Sequence, residues 1–226
     1  GVDRVHHGAR RVKAAAAGGW LLAFAAAGAA CADGPVPGRR AAGPEKPDWE
    51  FALTAYPTEV RDGDNITSAI GAADRGPLHL EARYSYEAKD SRSAFVGWTF
   101  SGGEGLTWEI TPLVGGGWGP ASTVIPGVEA SLAWGRLDFY VEGEFVRDRG
   151  GSAGNYNYAW SELGFHALPW LRAGLVGQRT RAYGGDREFQ RGPFVQATFG
   201  RATLGGYWFN PGSHEQVVVA SIGVSF

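Results

Sequence analysis

Residues 216–226 read Gln216-Val217-Val218-Val219-Ala220-Ser221-Ile222-Gly223-Val224-Ser225-Phe226. Successive side chains of a β-strand point to opposite faces. Val218, Ala220, Ile222, Val224 and the last residue, Phe226, therefore share one side, and Ser221, Gly223 and Ser225 share the other. Such a strand has one wholly apolar face and one small, polar face. Alternation of this kind fits a half-buried strand in a soluble sandwich, and it fits equally well a strand whose apolar face meets lipid.

The same alternation recurs upstream. The apolar sets are Trp49/Phe51/Leu53/Ala55, Leu78/Leu80/Ala82/Tyr84/Tyr86, Ala94/Val96/Trp98/Phe100 and Leu106/Trp108/Ile110. They continue with Val128/Ala130/Leu132/Trp134, Leu137/Phe139/Val141/Phe145, Leu171/Ala173/Leu175 and Val195/Ala197/Phe199. No charged residue enters these sets, whereas the interleaved positions are rich in Glu, Arg, Gln and Thr. Three weaker segments, 65–73, 155–165 and 201–209, bring the expected total to twelve strands, with ten as the alternative count. In the second of these, Tyr158, Trp160 and Glu162 are expected inside, because Glu is costly against lipid.

The connections alternate in character. Asp74-Arg-Gly-Pro77, Ser101-Gly-Gly-Glu-Gly105, Gly135-Arg136, Ala167-Leu-Pro169 and Gly200-Arg201 are tight and turn-like. The stretches 59–64, 88–92, 115–122, 147–154, 182–188 and 210–215 are generally longer and more polar. A sandwich has no reason to alternate short turns with long loops. Aromatic residues also gather at strand ends, with Trp49, Phe100, Trp134, Phe199 and Phe226 at the turn end. Tyr56, Tyr86, Phe145, Tyr156 and Trp208 are expected near the loop end. Amphipathic rings prefer headgroup depth, so two such bands predict aromatic girdles.

These features together resemble the porin-like outer-membrane β-barrel proteins of Gram-negative bacteria. The resemblance implies an all-β, antiparallel, up-and-down transmembrane barrel from residue 48 to 226. It implies an outer-membrane location with both termini periplasmic. It also implies contact with membrane lipid and lipopolysaccharide, and assembly by the barrel-assembly machinery through the strand ending in Phe226.

Composition agrees with alternating strands. Gly is 36 of 226 residues, aromatics are 13%, charged residues are 19% and the mean hydropathy is −0.19, so apolar residues are dispersed rather than gathered into runs. The one long apolar run, Ala14 to Ala30, follows Arg10, Arg11 and Lys13 and precedes Ala30-Cys31-Ala32. A basic start, a short apolar stretch and a small-residue cleavage site predict a signal peptide over 1–32. Residues 33–47 are Pro/Gly-rich and are expected to form a flexible periplasmic leader. Loss of 1–32 removes Cys31, the only cysteine, and leaves 17 basic against 22 acidic residues, a net −5. No disulfide or Cys-based metal site is then available, and no clustered positive charge suggests nucleic acid. No metal or cofactor motif is evident. Gly115-Gly-Gly-Trp-Gly119 lacks the Lys-Ser/Thr of a phosphate cradle.

The interior face predicts the candidate site. Glu81, Glu109, Glu129, Asp138, Glu142, Glu144 and Glu162 share it with Arg83, Arg172, Gln178 and Gln196. One reading is an acid-lined passage for small polar or cationic solutes. The alternative is a salt-bridged, non-conducting interior filled by Phe95, Tyr140, Tyr158, Trp160 and Phe194, in a barrel with a structural or surface-contact role. A basic set, Arg147, Arg149, Arg179, Arg181, Arg187 and Arg191, is expected around two outer loops, where guanidinium groups can pair with lipopolysaccharide phosphates. A lipid hydrolase is the third reading. It would need a nucleophile beside a His base, and only Ser213-His214-Glu215 with Asn210 lies on the loop side. His79 and His166 adjoin the turns. No enzymatic activity is expected.

Overall fold

The computed structural model describes residues 48–60, 65–87, 89–182 and 187–226. The expected signal peptide and leader lie outside the described residues. Twelve strands run in chain order: β1 Glu50–Val60, β2 Ile66–Arg75, β3 Leu78–Tyr84, β4 Arg92–Trp98 continuing as Phe100–Gly102, β5 Leu106–Trp118 and β6 Thr123–Trp134. They go on as β7 Leu137–Asp148, β8 Tyr156–Leu168, β9 Leu171–Ala182, β10 Arg187–Phe199, β11 Ala202–Phe209 and β12 Val217–Ser225. A single 3-10 turn, Ser152–Gly154, lies between β7 and β8.

Each strand pairs antiparallel with its neighbours in sequence, and β1 pairs with β12, so the sheet is a closed barrel. The 216–226 stretch makes that closure. Ala52 lies opposite Ser225, Leu53 opposite Val224 and Ala55 opposite Ile222, while the other edge of β12 pairs with β11 from Ala202/Val224 to Phe209/Val217. Phe51 and Phe226 exchange backbone hydrogen bonds of 2.8 and 2.9 Å, and their rings stack with centroids 5.7 Å apart. Gly76, Gly135 and Gly200 open three of the tight turns with φ of 57°, 59° and 61°. Primed hairpin turns require that left-handed conformation, and glycine adopts it without strain.

The twelve-strand count and the division into tight turns and longer loops match the sequence reading, but several strands are longer than expected. β5 continues to Trp118 through Pro112 and three glycines, and β6 begins at Thr123. Pro and Gly usually weaken or end a strand. Here Pro57 and Pro126 sit where a ladder skips positions, between Ala55/Ile222 and Thr58/Val219 and between Val124/Arg147 and Gly127/Glu144. Gly115 has a further reason. A Cβ there would stand 2.3 Å from the Phe95 ring, which lies across it from β4.

The apolar sets point outward. Leu53, Val96, Leu132, Leu175, Leu204 and Ile222 are among the exposed side chains. Trp49, Phe100, Trp134, Phe199 and Phe226 form an exposed band at the turn end, joined by Trp98 and Trp170. Phe145 and Trp208 are exposed nearer the loops, as expected, with Trp118 and Phe189 beside them. Tyr56, Tyr86 and Tyr156 are not girdle residues. Tyr56 and Tyr156 share the phase of their inward neighbours Thr58 and Tyr158, and all are buried. Tyr86 shares the phase of outward Tyr84, but Ser85 between them has φ +49°, which turns the chain and sends Tyr86 into the bore.

Val96 separates the two possible surroundings of this outer face. It is 48% exposed, so in water a Val96→Lys exchange is expected to change stability by less than about 0.5 kcal/mol. Against lipid near the midplane the same exchange is expected to cost about 2–4 kcal/mol. Denaturant unfolding from lipid vesicles measures the difference.

Candidate functional site

The interior is lined by the even-numbered residues of β1 and β2, the odd-numbered residues of β3 and the matching alternate residues around the barrel. It divides into two zones along the axis. Near the turns the lining meets water: Thr107 and Glu109 are exposed, and the side chains of Asp74 and His166 are 44% and 48% exposed. From mid-height to the loops it is packed. Trp160, Glu162, Tyr86, Ile125, Phe209 and Val219 have essentially no accessible surface, and Glu142 has 1%. The barrel is a cup, open at the turn end and filled beyond.

Two guanidinium groups organise the charges. Arg83 on β3 bonds Glu81 two residues before it, then crosses the bore to β7, with three strands between. Its Nη1 donates to Glu144 Oε1 at 2.7 Å, and Nη2 lies 3.2 Å from Glu142 Oε1. The guanidinium sits 4.3 Å from the centre of the Tyr86 ring and 4.2 Å from that of Phe95. Tyr86 donates its hydroxyl to Glu142 at 3.2 Å. Cation–π contact and charge-assisted hydrogen bonds both strengthen when water is excluded.

Arg172 on β9 holds the second group. It bonds Asp138 in bidentate fashion, donates from Nη1 to Glu162 at 2.5 Å and to Gln196 at 2.8 Å, and lies 4.6 Å from the Phe194 ring centre. Gln196 passes the chain on to the Tyr207 hydroxyl at 2.7 Å, and Trp160 Nε1 donates to Glu162 at 3.1 Å. Trp160 packs edge-on against Tyr207 and Phe209, with ring centres 5.5 and 5.6 Å away. Gln178 pairs with Gln190, a partner the sequence reading did not name.

The expected lining residues fall into separate groups rather than one row. Arg83 gathers Glu81, Glu142 and Glu144; Arg172 gathers Asp138, Glu162 and Gln196. Glu109 lies apart at the open mouth. Glu129 faces His79 and Glu81, with potential metal-ligating atoms within 4.8 Å of one another. The sequence reading placed His79 beside a turn and named neither it nor Asp74 among the lining residues. His79 Nδ1 bonds Asp74 Oδ1 at 2.7 Å across the Gly76-Pro77 turn.

The basic set lies on strands more than on loops. Arg147, Arg179 and Arg191 are exposed near the loop ends of β7, β9 and β10, and Arg149 follows β7. Arg181 and Arg187 are opposite each other in the β9–β10 ladder. Arg147, Arg179 and Arg191 thus lie beside the outer connections, on strand ends. At Ser213-His214-Glu215, the Ser213 hydroxyl accepts the Glu215 backbone N–H at 3.1 Å and closes a local turn.

No protein-family model matches the chain, and no curated protein matches it. Solved structures do. The fold is similar to the KdgM porin, at 8% identity with a TM-score of 0.55, covering 77% of this chain and 98% of that one. A second structure of that porin, in complex with disordered oligogalacturonate, gives 0.54 at 8% identity, over 78% of this chain and 98% of the other. The NanC porin gives 0.52 at 9% identity, over 78% and 98%. At such identities the likeness is one of architecture: the described residues form a closed, twelve-stranded antiparallel β-barrel like those of these porins.

Proposed function

We propose that this barrel stands in the bacterial outer membrane, both termini on the periplasmic side, as a porin-like passage for small polar or cationic solutes. The described state is closed at mid-height. The observation that carries this reading is the charge imbalance of the interior, where among the described residues at least nine carboxylates, Asp74 and Glu87 included, face the guanidinium groups of Arg83 and Arg172. Uncompensated buried anions are costly. The open mouth holds Glu109, Asp74 and Asp138 in contact with water, which draws cations toward the bore. Solute passage then requires the Arg83 strut to swing away from β7.

The second reading, a non-conducting structural barrel, is favoured by one specific feature. Trp160, Tyr207 and Phe209 form a buried aromatic stack that fills the bore around Glu162. Planar-bilayer recording separates the two. Wild-type protein is expected to show small cation-preferring steps. Arg83→Gln, which removes the strut and one positive charge, is expected to enlarge the steps and shift the reversal potential further toward that of cations. Silence from both proteins would favour the structural role.

The outward arginines support contact with lipopolysaccharide. Arg147, Arg179 and Arg191 carry fixed charge at the loop-end margin of the apolar band, where bidentate pairing with phosphate is geometrically available. Replacing all three by Ala is expected to lower the lipopolysaccharide retained per barrel after detergent extraction severalfold. Unchanged retention would remove the contact from the reading. The exposed, ring-stacked Phe226 supports recognition by the barrel-assembly machinery. Phe226→Ala is expected to slow insertion by the reconstituted machinery more than spontaneous insertion into vesicles, and equal slowing of both would overturn that role.

A further inference from the structure

We propose that His79, Glu81 and Glu129 form a binding site for one divalent transition-metal cation at the floor of the turn-end cup. The site goes beyond the permeation reading and does not depend on it. Its possible ligand atoms, one imidazole nitrogen and two carboxylate oxygens, lie within 4.8 Å of one another. In a tetrahedral site with bonds of about 2.0–2.2 Å, ligand atoms stand roughly 3.4 Å apart. Side-chain rotation of roughly 1 Å closes that gap.

Acidic groups often cluster without binding anything, and the histidine distinguishes this cluster. His79 is 9% exposed, and its Nε2 has no hydrogen-bond partner. Burying an unpaired ring nitrogen costs free energy that nothing else in the site offsets. The other ring nitrogen, Nδ1, is held by Asp74 at 2.7 Å. That bond places a proton on Nδ1 and turns Nε2 toward Glu81 Oε2, 4.0 Å away. A carboxylate fixing the outer nitrogen of a histidine whose inner nitrogen is free is the arrangement that orients metal-bound imidazoles.

The carboxylates complete the argument. Glu81 spends Oε1 on Arg83, which leaves Oε2 facing the site. Glu129 reaches it from β6, on the other side of the bore, and is only part-buried. A nitrogen ligand beside two carboxylates suits zinc, manganese or cobalt better than calcium or magnesium, which prefer all-oxygen shells. Three protein ligands leave a coordination position for water. Entry is available, because Asp74 lies at the exposed mouth directly outside His79.

The test is calorimetric titration of the refolded full-length chain with zinc sulfate, in a background carrying His6→Ala and His7→Ala. One equivalent is expected to bind. Asp74→Asn is expected to weaken it by about 10–100-fold, and His79→Ala by at least as much. Glu129→Gln keeps the shape of the site and is expected to weaken binding as well, with His166→Ala and His214→Ala leaving it unchanged. Folding of each variant is checked by resistance of the barrel to detergent denaturation. Absence of zinc binding by the parent chain would overturn the proposal. So would binding by folded His79→Ala or Glu129→Gln as tight as the parent's.

Discussion

The structure depends on the backbone ladder between β1 and β12. In hydrocarbon an unpaired backbone N–H or C=O costs several kcal/mol, so a sheet can span a bilayer only if it has no edge. Eleven hairpin connections leave two free edges, and the 216–226 stretch removes both at once by pairing with β11 on one side and β1 on the other. The alternation of that stretch follows from the same requirement. Val218, Ile222 and Val224 face outward while Ser221 and Gly223 face the interior.

Closure also decides what the interior must do. A cylinder of twelve strands encloses space that side chains, water or both must fill. Here the two ends differ. The turn end leaves Glu109 and Asp74 in contact with water beside the Arg172 group, while the loop end is packed with Trp160, Tyr86, Phe209 and Val219 around the Arg83 group. Arg83 and Arg172 are each surrounded by acids and capped by an aromatic face, which compensates several anions with one cation apiece.

Strand number, turn positions and the outward apolar sets were legible in the sequence, because period-two alternation is local and lipid tolerates few exceptions. Tyr56 was legible too. Its position is in step with Thr54 and Thr58, and its aromatic character alone suggested the outer band. Tyr86 was not, since its direction depends on the positive φ of Ser85. The extension of β5 to Trp118 was hidden by Pro112 and three glycines, residues whose tolerance rests on neighbouring strands. The lining residues could be named but not grouped. Arg83 meets Glu142 and Glu144 across the width of the barrel, a distance set by curvature that no sequence spacing encodes. The pairing of Asp74 with His79 was within reach, because a tight turn at Gly76-Pro77 puts them opposite each other.

The Arg83 crossing has a mechanical meaning as well. Acyl chains press on a barrel from all sides, and a hollow ring of strands resists ovalisation only through the stiffness of its ladders. A guanidinium wedged between two aromatic planes and anchored on the far wall acts as a spoke, and close-packed side chains around it have the low compressibility of a protein core. The loop-end half of this cylinder is therefore stiff, and the wetter turn-end half is the part that can deform when the thickness of a surrounding membrane changes.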